Sequence, residues 1–323
     1  MKNNTLKSIA CAALLILPAV GMAQSYPKGS IDFIVPFSAG GGTDFASRIL
    51  TEKLSEQQGW NFVIENRGGA GGNIGLSQLA RAQNDGQVMG MGQTSNMAIN
   101  PTLYASIPYD SLNDFTPIAL VSSQPMVLAV NQNSSYEDFE SLVAAARENP
   151  GKVSMSTPGS GTVSHLSMEV FSDQADVEFM HIPYPGAAQA VTDAIGGHVD
   201  FVAASLPSLL SHIRSGSLKA LAVTSAERNA AIPDVPTIAE LGYEGFEASD
   251  WKAVVGPAGL PDDVVATFNA AINQALQDER LIETIENEGS TVEGGSADEL
   301  AAYLQAESER WAEAVNTSGV TVE

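Results

Sequence analysis

The chain is poor in the residues from which redox, metal and nucleic-acid chemistry are built. It has one cysteine, Cys11, in 323 residues. A single thiol makes no disulfide framework and no cysteine cage for a metal or iron–sulfur cluster. The four histidines, His165, His181, His198 and His212, stand 16, 17 and 14 residues apart. None has the short spacing of a chelating pair, so no metal site is expected. Lys and Arg number 15 against 38 Asp and Glu, for a formal net charge of −23. That balance excludes a cationic face for nucleic-acid phosphates and for anionic lipid. Charged residues of all kinds are only 16%, low for a cytosolic protein. Nucleotide and hydrolase signatures are missing too. Gly69-Ala70-Gly71-Gly72-Asn73-Ile74 opens like a dinucleotide fingerprint but has Ile74 where the third glycine belongs. There is no GxxxxGK[ST] phosphate loop and no GxSxG elbow. With no nucleophile–base pair in view, no enzyme, no catalytic residue and no cofactor are expected.

What is present begins with an export signal. Lys2 and Lys7 give a basic start, Ile9–Val20 an apolar run broken only by Pro18, and Gly21-Met22-Ala23 the small residues of a cleavage site. The run is too short for a stable helix across a hydrocarbon core of ~30 Å. Cleavage near Ala23 removes Cys11, Lys2 and Lys7, so 13 basic residues face 38 acidic ones, a net of −25. No later apolar stretch reaches 18 residues without polar interruption. A soluble protein of the periplasm, or of the exterior, is expected, its acidity serving solubility.

The rest of the chain alternates strands with helices, the pattern of parallel sheets covered on both faces. Ile31–Phe37 reads as a buried strand, Ser38–Asp44 as a glycine loop, and Phe45, Ile49, Leu50 and Leu54 as one face of a helix capped by Thr43 or Asp44. The unit recurs at Asn61–Glu65 with Asn66–Gly75, and at Val153–Ser156 with Thr157–Thr162. Further strands are read at Val88–Gly92, Phe179–Tyr184, Val199–Ala204, Leu218–Val223 and Ala253–Val255. Helices are read at Ser141–Arg147 and, near the end, at Pro261–Leu276, Glu279–Glu288 and Ala297–Val315. At about 300 exported residues, two α/β lobes suit the length better than one sheet. Extended stretches near 120–128 and 246–255 are the candidate crossings. They divide the chain into lobe one (24–122 plus 250–323) and lobe two (123–249), with a ligand cleft between them.

A glycine loop feeding a helix presents unpaired N–H groups and the positive end of the helix dipole, which together hold an anion without Lys or Arg. Ser38, Thr43, Thr94, Ser95, Ser156, Thr157, Ser160, Thr162 and Ser205 add neutral hydroxyls. Carboxylate capture by amides and hydroxyls, rather than by cationic side chains, is the expectation. Several side chains read two ways. His165 reaches the cleft or packs beside its loop. Arg48 pairs with a nearby acid or reaches a ligand. Asp44 caps its helix or holds a ligand group. Trp251 closes over a ligand or plugs the hinge.

At these residues the chain resembles the substrate-binding proteins of tripartite tricarboxylate transporters, the Bug-type or TctC-like family. The likeness runs through Ile34–Gly41 with Asp44, Ala46 and Arg48, then Glu65–Gly75, Ile99-Asn100-Pro101, and Tyr109-Asp110 with Asp114–Pro117. It continues through Pro183-Tyr184 with Gly186, Leu218–Thr224, Pro233–Thr237 with Glu240 and Gly242, and Pro257-Ala258-Gly259. The resemblance implies a periplasmic binding protein of the Venus-flytrap type, each lobe a mostly parallel sheet flanked by helices. It implies capture of a small di- or tricarboxylate, aromatic ones included, and delivery to a permease of one large and one small subunit. The alternative is a sensor that presents the same ligand to a kinase ectodomain. A monomer is expected. The matching ligand positions in lobe one are Phe37, Ser38, Ala39, Gly40, Asp44, Gly71, Asn73, Thr94 and Ser95. In lobe two they are Ser156, Gly159, Ser160, Gly161, His165, Tyr184, Gly186, Ala187 and Ser205. No basic residue is obvious among them.

Overall fold

Ile31-Asp32-Phe33-Ile34-Val35 suits a strand covered on both faces, being rich in branched and aromatic side chains. It forms β1 (Ile31–Val35), with Ile31, Phe33, Ile34 and Val35 all buried. The computed structural model describes residues 26–184 and 186–320, and the export signal read at Met1–Ala23 lies outside them. From β1 the chain runs through α1 (Gly42–Gln58), β2 (Phe62–Asn66), α2 (Asn73–Ala80), β3 (Val88–Gln93), a helical turn at Ser95–Ile99 and α3 (Asn100–Leu103). Next come β4 (Phe115–Asn131), α4 (Phe139–Glu148), β5 (Ser154–Thr157), α5 (Val163–Ala175), β6 (Met180–Pro183) and α6 (Ala187–Ile195). Then follow β7 (Phe201–Ser205), α7 (Leu206–Arg214), β8 (Leu218–Val223) and β9 (Ser249–Pro257). The last elements are α8 (Asp262–Ala275), α9 (Glu279–Asn287), β10 (Thr291–Val292) and α10 (Ala297–Ser318).

Strand pairing makes two groups that share β4. The first has the order β2-β1-β3-β9-β4-β10, with β9 antiparallel between its neighbours. The second has the order β6-β5-β7-β4-β8, with β4 running against the other four. β4 pairs with β9 as far as Pro125 and with β7 from Met126 onward. Proline offers no N–H to a ladder. Register shifts between Pro117 and Ala119 and between Leu120 and Ser122 bend the strand on its way there. Buried Thr224 ties the two crossings together. Its hydroxyl accepts from the Met126 amide at 2.9 Å, and its carbonyl accepts from the Ala248 amide at 2.8 Å. β9 starts one residue later.

Four apolar layers cover the sheet faces. Leu50 and Leu54 of α1, Phe268 and Ile272 of α8 and Ile285 of α9 pack on one face of the first group. Leu76 and Leu79 of α2, Trp251, and Leu304 and Trp311 of α10 fill the other. That second layer also holds Val163 and Leu166 of α5, so α10 packs against helices of both strand groups. Phe139 of α4 with Phe171 of α5, and Val191 of α6 with Leu209 of α7, cover the second group. Truncating a fully buried side chain such as Leu54 to alanine costs about 2–5 kcal/mol. None of the described helices is long and apolar enough to cross a membrane.

Candidate ligand-binding cleft

The loops that leave β1, β2, β3, β5, β6 and β7 all sit at carboxyl ends of strands, where an open α/β sheet takes its ligands. The two lobes meet there. A Cβ placed on Gly161, in the loop after β5, would stand 2.3 Å from Leu103 Cδ2 of α3. The φ of +72° at Gly161 favours glycine, and any side chain there would have to displace Leu103. Gly40–Thr43 at the start of α1 and Ser205 and Ser208 at the start of α7 line one cavity of about 490 Å³. A larger cavity of about 1020 Å³ lies between α4, α5 and α10, and none of these loops lines it.

Helix α1 begins at Gly42, and its cap is Gly41, which offers no side chain to the first-turn amides. Thr43 and Asp44, the caps read from the sequence, lie inside the helix instead. Asp44 is diverted because its carboxylate accepts from the Gly40 amide, Arg48 Nε and Asn66 Nδ2, each at 2.9 Å. Burial alone raises its pKa, but the bonds from Arg48, Gly40 and Asn66 prevail and hold it below the usual carboxylate value. Arg48 accordingly serves Asp44. Asn66 also donates to the Phe37 carbonyl at 3.0 Å. It thereby pins the exposed Ser38–Gly40 segment over the Gly68–Gly72 loop, a role the sequence reading missed. Helices α6 and α7 likewise begin at Gly186 and Ser205 without a side-chain cap, so Gly186, Ala187 and Ser205 open uncapped helix ends.

Other predicted positions are committed elsewhere. Thr94 and Ser156 are fully buried. The Thr94 hydroxyl accepts from the Trp251 amide at 2.8 Å, and the Ser156 hydroxyl donates to the Ala190 carbonyl at 3.2 Å. Asn73 Oδ1 accepts from Asn100 and Tyr109, both at 2.7 Å. Ser95 Oγ accepts from Gln93 Nε2 at 3.1 Å. Gly71 lies against Asn100 and Tyr104, while Gly159 shares its amide and carbonyl with Thr157 and Thr162. Tyr184 Oη donates to Asp193 at 2.5 Å. His165 is buried and stacks on His181 with ring centroids 3.7 Å apart. Its Nδ1 accepts from the Gly161 amide at 3.1 Å, which places the proton on Nε2, 3.3 Å from Glu169. It steadies the loop from behind. Ser160 and Ala39 stay exposed. Trp251 is fully buried and donates to Glu307 Oε2 at 2.8 Å, so its indole is held inside the core beside α10.

One charge at the cavity was not anticipated. Lys252 lines it, with its side chain only 3% exposed. Its signal in the sequence was a lone cation inside the apolar segment Trp251–Val255. Its Nζ is buried and has no hydrogen-bond partner among the described residues.

Uncapped helix ends, hydroxyls and an interlobe cavity, on a fold shared with periplasmic binding proteins, define a solute-binding receptor and not an enzyme. The family model for the Tripartite tricarboxylate transporter family receptor (TctC) matches residues 46–320, and the chain belongs to that family. It is 37% identical to Protein BugT of Bordetella pertussis over 298 residues, 92% of this chain and 91% of the relative. R. palustris Rpa4515, solved with adipate, has a TM-score of 0.83 at 31% identity, covering 92% of this chain and 99% of that one. MatC of Rhodopseudomonas palustris, solved with bound malate, has a TM-score of 0.78 at 28% identity, covering 90% and 100%.

Proposed function

We propose that the protein captures a small organic di- or tricarboxylate between its lobes and delivers it to a tripartite tricarboxylate transporter permease of one large and one small subunit. The observation that carries this reading is the N-terminus of α1. Its cap is an exposed glycine without a side chain, and it opens into the interlobe cavity. Unpaired first-turn amides and the helix dipole favour an anion there. The malate and adipate held by the two relatives are of the same class. The lobes that move are 24–122 plus 250–323 and 123–249, hinged at the crossings that Thr224 ties together. Ligand contacts fall to Phe37–Gly40 and Gly71 on one side and to Ser160, Gly186, Ala187 and Ser205 on the other, with Thr94, Ser156 and His165 as supports. Closure is driven by the ligand's higher affinity for the closed state.

A thermal-unfolding screen against aliphatic, hydroxylated, amino and aromatic carboxylates tests the reading. A ligand at 100 times its dissociation constant adds about 2.7 kcal/mol to stability. Ser38→Asp places like charge beside the α1 amides and should abolish that gain. An unchanged calorimetric affinity in this variant would remove the loop from the site.

A further inference from the structure

Lys252 lies on β9 opposite Gln93 of β3 and Ser122 of β4, so the three side chains share one face of the sheet. Gln93 Oε1 accepts from Thr43 Oγ1 in the first turn of α1, which fixes that face as the one under the helix end. Two residues back on β9, Asp250 shares the face and also lines the cavity. Lys252 Nζ and Asp250 Oδ2 are 3.6 Å apart, too far for a hydrogen bond. Oδ2 accepts instead from Gln124 Nε2 at 3.1 Å. Both Lys252 Nζ and Asp250 Oδ1 are buried without a hydrogen-bond partner.

A pair kept for stability would close to the 2.7–2.9 Å typical of charge-assisted bonds. Here a donor and an acceptor are both buried and unpartnered in the lining of the cavity, beside amides suited to an anion. We propose that Lys252 and Asp250 read one end of the ligand together. Nζ takes a carboxylate, and Oδ1 takes a hydroxyl or ammonium on the adjacent carbon. The proposal rests on the reading that an organic acid occupies the cleft, and it narrows the class to 2-hydroxy and 2-amino dicarboxylates. The reason is electrostatic. A bare carboxylate on Nζ lies against Asp250 and is repelled. A donor group beside that carboxylate turns the same contact into a hydrogen bond.

Calorimetry of the purified protein with L-malate, L-aspartate and succinate tests this. The wild type should bind L-malate or L-aspartate at least about tenfold more tightly than succinate, the worth of one hydrogen bond to a charged group. Lys252→Met should weaken its preferred acid by about 10- to 100-fold. Asp250→Asn should erase the preference for the substituted acid. The neutral double variant D250N/K252M should unfold no earlier than the ligand-free wild type, because replacing both members of a buried charge pair is commonly neutral or stabilising. Unchanged affinity in K252M, a preference that survives D250N, or a destabilised double variant each overturns the proposal. Binding of unsubstituted or aromatic acids, with neither malate nor aspartate bound, overturns it too while leaving the cleft reading intact. If no carboxylate binds, the cleft reading falls first and this inference with it.

Discussion

The His181 ring lies 2.7 Å from Thr157 Oγ1 through Nε2 and stacks on His165. Burial, and then the neighbouring His165 ring, push its pKa from the usual 6.5 down to about 4, against a smaller opposing pull from Glu169. The unfolded chain therefore takes up this proton near pH 6.5 and the folded chain only near pH 4. The stabilising effect is complete above pH 6.5 and is lost as the pH falls from there toward 4. Urea midpoints at pH 7.5 and 5 should fall more steeply in the wild type than in His181→Gln, and equal slopes would show that this ring does not couple folding to pH. The sequence disclosed only part of this chemistry. It read His165 beside its glycine loop, but His181 lies 16 residues away on β6, and no spacing rule pairs a helix residue with it. Lys252 was legible only as a misfit, since a cation in an apolar strand identifies neither its cavity nor the acid two residues before it.

At the scale of elements, the strand, glycine loop and helix around β1 and α1 were readable because each part has a local physical cause. The helix start was not, since it depends on Asn66 and Arg48 drawing Asp44 inward. Helix α7 went unread because Pro207 in Ser205-Leu206-Pro207 looks like a loop, although a first helical turn tolerates proline. β10 has two residues and no pattern to detect. The α1 cap allows a direct test. Gly41 has φ −87° and ψ 170°, and an added Cβ would meet only the Ser38 carbonyl at 3.7 Å. Gly41→Asp therefore fits the backbone and supplies the missing cap. Ligand-free stability should change by no more than about 0.5 kcal/mol. Carboxylate affinity should fall at least tenfold, as the new side chain takes the amides and repels the ligand. Retained affinity by calorimetry would mean that the amides of α1 do not hold the acid.

Across the whole molecule, length and alternation gave two lobes, whereas the bridge made by α10 was hidden. Its apolar face reads as buried but does not say against what. In the fold it packs on α3, α5 and the Ser95–Ile99 turn, and Glu307 fastens it to β9. Glu307 Oε2 accepts from Trp251 Nε1 at 2.8 Å and Trp311 Nε1 at 3.0 Å, and Oε1 meets Arg310 Nη2 at 2.7 Å. Trp251 stands between Asp250 and Lys252 on β9, so the same clasp steadies the strand that carries those charges. Glu307→Ala leaves two buried indole N–H groups without an acceptor, and it should cost about 3 kcal/mol or more. Glu307→Gln keeps one carbonyl oxygen for the indoles and should cost less. Urea unfolding followed by tryptophan fluorescence checks both, because Trp251 and Trp311 report on the clasp directly. Loss of the same stability in Arg310→Ala, with both indoles still paired, would transfer the clasp's strength to the guanidinium.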